Sequence, residues 1–191
     1  FAAFAAAKII SNKIYNQATL LTKLGFDERA RMLTAYADEV LPADSTNREG
    51  HAAKVYFNTL FGLDFSRDKD CSINAALNYG YSVLLSLINR EIVNCGRLTQ
   101  LGIHHCNEFN QFNLSCDFME PFRVIIDEFV YEHKDCPFDK NYKFSLVNTS
   151  NKRITFAGKE YVLNDAISLY VKAVLDCLDN HEKPFPVFEF K

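Results

Sequence analysis

Tryptophan is absent from the 191-residue sequence, and methionine (2), proline (5) and glycine (7) are scarce. Several of the few glycines and prolines can therefore be read as boundaries between elements. There is no Walker phosphate loop and no GxGxxG, which argues against the common nucleotide-cradling devices. No Gly-x-Ser-x-Gly elbow and no zinc-finger pattern appears. The six cysteines, at 71, 95, 106, 116, 136 and 177, form no Cys-x-x-Cys pair. With no secretory signal, they read as buried, reduced thiols in a cytoplasmic protein, several of them in apolar helical patterns, rather than as a disulfide framework. No apolar run approaches the ~20 residues that span a bilayer. Neither sign of charge dominates: 21 basic and 24 acidic side chains give a net −3. Bulk charge thus offers no nucleic-acid footprint, although an acidic metal site can lower the net charge beside a local basic groove.

What is present is an ordinary soluble balance, 48% hydrophobic and 24% charged, with 17 Phe and 9 Tyr. Such a chain can build one core. It does not begin with Met and opens on Phe-Ala-Ala-Phe-Ala-Ala-Ala, so it reads as a piece of something longer. Residues 4–23 carry a helical stripe of Ile9, Ile10, Ile14, Ala18 and Leu21 that stops near Gly25. A second helix opens at Asp27 and ends before Pro42. Thr46 and Glu49 have the spacing of a capping box, and that helix runs to Gly62. Residues 72–95 are the most periodic, with Ile73, Ala76, Leu77, Tyr81, Leu84, Leu85, Ile88 and Ile92, and form the predicted core helix. Pro121 must lie in a first helical turn, which places the next helix start near Asp117.

Residues 143–162 read as a small β insertion. Segments 143–147 and 153–156 are β-like, with a turn at Ala157-Gly158 leading back into 160–162. Asn164 is the expected cap of the last helix. The expected organisation is a mainly α catalytic domain over 1–182 and a tail over 183–191. Prolines keep that tail from being helical, and its aromatics suggest that it docks on a surface.

Ligand-type residues concentrate between Gly102 and Arg123. His104 and His105 follow a glycine in a loop, and Asp117 and Glu120 lie three apart at a helix start, so they project together. The plain reading is an acidic first turn complementing the helix dipole. Glu49 can likewise be a cap. It also shares a face with Ala52, Ala53, Tyr56 and Leu60, an inward face on which a carboxylate needs a cation or a donor. Two carboxylates and one imidazole would suit Mg²⁺ or Mn²⁺, an ion that neutralises a phosphate oxygen and activates an attacking hydroxyl or water. A zinc site from His104 or His105 with Cys106 and Cys116, and a Cys106–His105 nucleophile pair, are weaker alternatives.

Four stretches occur in order: Asn47-Arg-Glu-Gly-His-Ala-Ala-Lys-Val-Tyr-Phe57, Ile73-Asn-Ala-Ala-Leu-Asn-Tyr-Gly-Tyr81, Leu101-Gly-Ile-His-His105 and Asp117-Phe-Met-Glu-Pro-Phe-Arg123. Together they resemble the CRISPR-associated integrase and endonuclease of spacer acquisition, the large adaptation subunit, with wording nearest the type II-A subgroup. The resemblance covers residues 45–178. It implies a helical C-terminal domain whose Glu–His–acid metal site falls on Glu49, His105 and Glu120, with Asp117 as an accessory acid. His104 and Cys106 are then bystanders. By position, Arg48, Lys54 and Arg123 are candidate phosphate contacts. The family's N-terminal β domain has no counterpart in the sequence.

The implied activity is insertion of short foreign DNA into a CRISPR array, by attack of a spacer 3′-hydroxyl on an array phosphodiester. The implied partners are double-stranded DNA, a second copy of the chain, a smaller adaptation subunit and, in type II-A relatives, the effector nuclease and a DNA-end-binding ring protein. Two rivals differ in class: a non-catalytic DNA- or partner-binding helical scaffold, and a nonspecific metal-dependent nuclease.

Overall fold

A computed structural model describes residues 1–191. Eight helices and one hairpin follow in order: α1 (Ala2–Lys23), α2 (Asp27–Asp38), α3 (Arg48–Phe61), α4 (Ser72–Asn94), α5 (Asn113–Met119), α6 (Arg123–Glu132), α7 (Lys140–Asn148), β1 (Arg153–Phe156), β2 (Lys159–Val162) and α8 (Leu163–Asp179). The fold is mainly α, as the periodicity predicts. No helix is long and apolar enough to cross a membrane.

The alanine-rich opening belongs to α1, where Ala5 and Ala6 are buried beside Ile9, Ile10 and Ile14. α1 packs on α2, α3, α6 and the 3-10 turn Glu120–Phe122. α4 touches α5, α6, α7 and α8, and its Leu77, Leu84, Ile88 and Ile92 are fully buried. Gly80 makes the α4–α6 approach possible, because a Cβ there would run into Ile126 and come within 3.2 Å of Leu146. On α8, Ile167, Tyr170, Val171 and Val174 close the core.

Five sequence expectations are corrected. Residues 143–147 lie in helix α7, not in a strand. Asp139 caps that helix by accepting from the Tyr142 amide at 2.9 Å, and Tyr142 and Leu146, one turn apart, are its buried positions. The β structure is confined to the two-stranded hairpin, in register Arg153↔Val162 through Phe156↔Lys159. The helix expected near Asp117 starts four residues earlier, at Asn113. Pro121 is accommodated by the 3-10 turn Glu120–Phe122 between α5 and α6, where its missing N–H costs little. Asn164 does not cap α8; its side-chain Oδ1 accepts from Arg90 at 2.6 Å. Of the six cysteines, only Cys177 is buried.

Finally, Thr46 and Glu49 make no capping box. Asn47 is the N-cap of α3, and Asp44 from the preceding turn accepts from the Arg48 and Glu49 amides at 2.8 and 3.0 Å. With those orphan donors already satisfied, the Glu49 side chain is free to point elsewhere.

The tail docks on α1. Asn12 pairs with the Phe188 backbone in both directions (2.7 and 3.0 Å). Asn16 donates to the Phe188 carbonyl at 3.0 Å and accepts from the Phe190 amide at 3.1 Å. These two amides satisfy backbone groups that would otherwise be buried without partners. Asn16 also donates to the Pro121 carbonyl at 3.0 Å, and Phe188 stacks on Phe122 with ring centroids 4.5 Å apart. The tail therefore braces the turn that carries Glu120. Phe188→Ala is expected to cost about 3 kcal/mol, as for other large-to-small changes in a packed core. Urea unfolding measures it, and a loss below about 1 kcal/mol would show that the tail is only loosely held.

Candidate active site

The three residues of the expected metal site come from different structural contexts. Glu49 is in the first turn of α3, Glu120 opens the 3-10 turn after α5, and His105 stands in the loop between α4 and α5. The fold joins the first two through a residue that the sequence reading passed over. Lys13 of α1 places its ammonium 2.6 Å from Glu49 Oε1 and 2.6 Å from Glu120 Oε2. The two carboxylate oxygens are thus no more than twice that distance apart. Lys13 is 12% and Glu120 4% exposed, so this is an interior ion pair with Glu49 at its mouth. A signal was present: Asn12, Lys13, Asn16 and Gln17 are polar residues interleaved with the apolar stripe of α1, and all but Lys13 are buried.

Glu120 has a second partner. Arg123, one turn on, donates to its Oε1 at 2.9 Å while stacking over Tyr81 with 4.5 Å between the guanidinium carbon and the ring centroid. Burial pushes the Glu120 carboxyl up, but the Arg123 and Lys13 charges outweigh it and hold it at about 2. Behind them lies Asp127, which accepts from Tyr56 at 2.9 Å and from Tyr81. Its burial raises the carboxyl to about 6 in spite of those two hydrogen bonds. Asp127 is a fully buried anchor behind Arg123.

The histidine loop is shaped by Asp117. Its carboxylate accepts from the backbone amides of Ile103, His104 (3.1 Å) and His105 (3.0 Å), and its Oδ1 lies 2.6 Å from His105 Nδ1. Asp117 is therefore committed to holding the loop and the imidazole. With Nδ1 engaged, Nε2 is the nitrogen left to a ligand, the arrangement by which a carboxylate orients a metal-binding histidine. The hydrogen bond to Asp117 raises the His105 pKa against an opposing effect of burial, with the Asp117, Glu120 and Glu49 charges adding to the rise. Gly102 is required at the head of this loop. A Cβ would strike the His105 carbonyl and stand 2.8 Å from Asn113 Cβ and 3.0 Å from the Asp117 carboxylate. Asn113 pins the loop from below through the carbonyls of Gln100 (3.1 Å) and Asn107 (2.8 Å).

His104 Nε2 lies 3.6 Å from Glu49 Oε2. Cys106 is exposed. Among the three basic residues proposed for phosphate, Arg123 is engaged by Glu120. Arg48 pairs with Glu39 at 2.7 Å and lies over Tyr36, and only Lys54 is both exposed and outside these ion pairs. No three His, Cys, Asp or Glu side chains form a closed ligand cage. The donor set nevertheless fits a hard divalent cation. A cation already sits between the two carboxylates, and Glu120 Oε2, fully buried, has no well-directed hydrogen bond despite its short contact with Lys13.

Comparison with known proteins places the chain in a family. The family model described as "CRISPR associated protein Cas1" matches residues 1–133. A protein of Neisseria meningitidis serogroup C, named CRISPR-associated endonuclease Cas1, is 44% identical over 119 residues, 62% of this chain and 39% of that relative. The chain thus aligns with well under half of that relative's length. Among solved structures, a casposase bound to integration product superposes with a TM-score of 0.80 at 23% identity, covering 100% of this chain and 65% of the casposase chain. A Cas6-RT-Cas1–Cas2 complex superposes with a TM-score of 0.80 at 20% identity, covering 100% and 25%. At those identities the structural matches establish a shared fold. The family match covers both carboxylate-bearing turns, the histidine loop and Lys13, and the chain belongs to the CRISPR-associated protein Cas1 family.

Proposed function

We propose that this chain is the helical catalytic part of a metal-dependent DNA integrase and endonuclease of CRISPR adaptation, acting in a prokaryotic cytoplasm. The observation that carries the reading is the convergence of Glu49 and Glu120, from separate elements, on one cationic point. Asp117 meanwhile holds His105 in the tautomer that leaves Nε2 for a ligand.

Glu49, Glu120 and His105 Nε2 would hold Mg²⁺ or Mn²⁺. When bound, such an ion supplies charge neutralisation at a phosphate oxygen and at the departing oxygen. The chain's own residues prepare the site. Arg123 fixes one oxygen of Glu120, and Asp127 with Tyr56 and Tyr81 backs Arg123. Asp117 fixes the loop and the ring. Because His105 must be neutral to bind a metal, its raised pKa sets proton against metal at that nitrogen. The reaction proposed is transesterification, in which a spacer 3′-hydroxyl displaces an array 3′-oxygen and the number of phosphodiesters is conserved.

The structural relatives, a casposase bound to integration product and a Cas6-RT-Cas1–Cas2 complex, support double-stranded DNA and a small adaptation subunit as partners. A homodimer and, in a type II setting, the effector nuclease and the ring-shaped end-binding protein complete the proposed assembly. The competing scaffold reading needs DNA binding without joining. The test is a strand-transfer assay with full-length protein, a labelled spacer end, array DNA and Mn²⁺. His105→Ala is expected to lower joining by about 10²-fold or more while leaving DNA retention within a few-fold. Joining at the unaltered rate, or none in the unaltered protein that still retains DNA, would remove the reading.

A further inference from the structure

Lys13 poses a physical question that the proposed chemistry leaves open. Two carboxylates meet at its ammonium, one of them buried, and an interior carboxylate without a counter-charge is unstable. Arg123 neutralises one oxygen of Glu120, and Lys13 is the cation that contacts both Glu120 and Glu49. The ammonium therefore occupies the point that a divalent ion bridging those two side chains would need. A lysine can yield that point. Its four-carbon stem is flexible, its head is a compact charge, and Glu49 at the mouth of the pair is 22% exposed.

We propose that Lys13 is the resident counter-cation of this site in the metal-free protein, and that a divalent ion enters by displacing its ammonium. The inference rests on the metal reading above. It gives Lys13 two opposed effects. It keeps Glu49 and Glu120 together before the ion arrives, and it weakens apparent metal affinity, because the ion must break two short ion pairs.

The test uses full-length protein stripped with EDTA and titrated with Mn²⁺, the free-ion electron paramagnetic resonance signal reporting the bound fraction. Lys13→Met, of similar length and without charge, is expected to bind Mn²⁺ at least roughly tenfold more tightly than the unaltered protein. Its metal-free melting temperature should fall and its Mn²⁺-induced rise should grow. Affinity unchanged or weakened in a folded Lys13→Met overturns the proposal. Should that variant fail to fold, the unaltered protein decides by amine acylation with and without Mn²⁺, read by peptide mass spectrometry. Lys13 labelling should rise several-fold on metal addition relative to exposed Lys8 on the same helix, and no rise overturns the proposal. Glu120→Gln separates the two levels of the argument. Mn²⁺ binding that depends on Glu120 but ignores Lys13 defeats only the lysine's role. Binding that ignores Glu120 defeats the metal reading and the lysine's role with it.

Discussion

Glu120→Ala is expected to abolish metal-dependent strand transfer, by about 10³-fold or more, and to lower stability by about 3–5 kcal/mol. The stability loss follows from what stays behind. Lys13 and Arg123 both point at Glu120 from the interior, and removing the carboxylate strands two positive charges next to each other. Glu120→Gln keeps the shape and separates the effects: activity should be lost as completely, because a neutral amide is a poor ligand for Mg²⁺ or Mn²⁺. The acid limb of the stability curve provides a second check on metal-free protein. The folded pKa of Glu120, about 2, lies below its ordinary value of 4.5. The group therefore contributes stability in full above pH 4.5, and the contribution is lost as pH falls through about 2. A shift of that size corresponds to about 3 kcal/mol. In Glu120→Gln, urea midpoints between pH 4.5 and 2 should fall less steeply than in the parent. A parallel acid limb would mean that the Lys13–Glu120–Arg123 cluster is not formed in solution, and near-parental strand transfer would remove Glu120 from the chemistry.

Asp117→Ala is expected to have the next largest effect, through geometry rather than through a lost ligand. One carboxylate organises three successive amides, from Ile103 to His105, and the His105 ring. Hydrogen bonds to a charged acceptor contribute about 1.5–3 kcal/mol each and are not additive, so a loss of about 3–5 kcal/mol is expected. Strand transfer should fall by about 10²-fold, since removing the group that orients a metal-binding histidine costs 10–100-fold in affinity or activity. Gly102→Ala should reproduce the defect with Asp117 intact, because its Cβ invades the same space. Joining rates within a few-fold of the parent for both variants would show that loop shape is unimportant to the site.

These expectations divide between what could be read along the chain and what could not. The long amphipathic helices were legible because burial of one helix face imposes a three-to-four spacing, and α4 carries it without interruption. The 153–162 hairpin was legible at its turn, where Ala157 and Gly158 both adopt positive φ. The segment 143–147 was misread because alternating Phe, Leu and Val in a short run suits either period. Only the partner packed against Tyr142 and Leu146 selects the helix. The capping box at Thr46 failed for a related reason: the acceptor for those amides comes from Asp44, outside the four-residue pattern.

The site shows the same division. Glu49, His105 and Glu120 could be chosen from the chain, since an acid on an inward face and a histidine after Gly102 are local facts, and the ordered motifs linked them. The sequence by itself determined a mainly helical domain of this family and its ligand-type residues. Only the tertiary structure decided their relations. Asp117 turned from an accessory ligand into the loop's anchor, and His104 came to lie against Glu49. Lys13, 36 residues before Glu49 and 107 before Glu120, became the cation between them. The physical reason is that helical periodicity is a property of neighbours a few residues apart. Neutralising a buried charge requires a partner whose distance along the chain is set by nothing but the packing of helices.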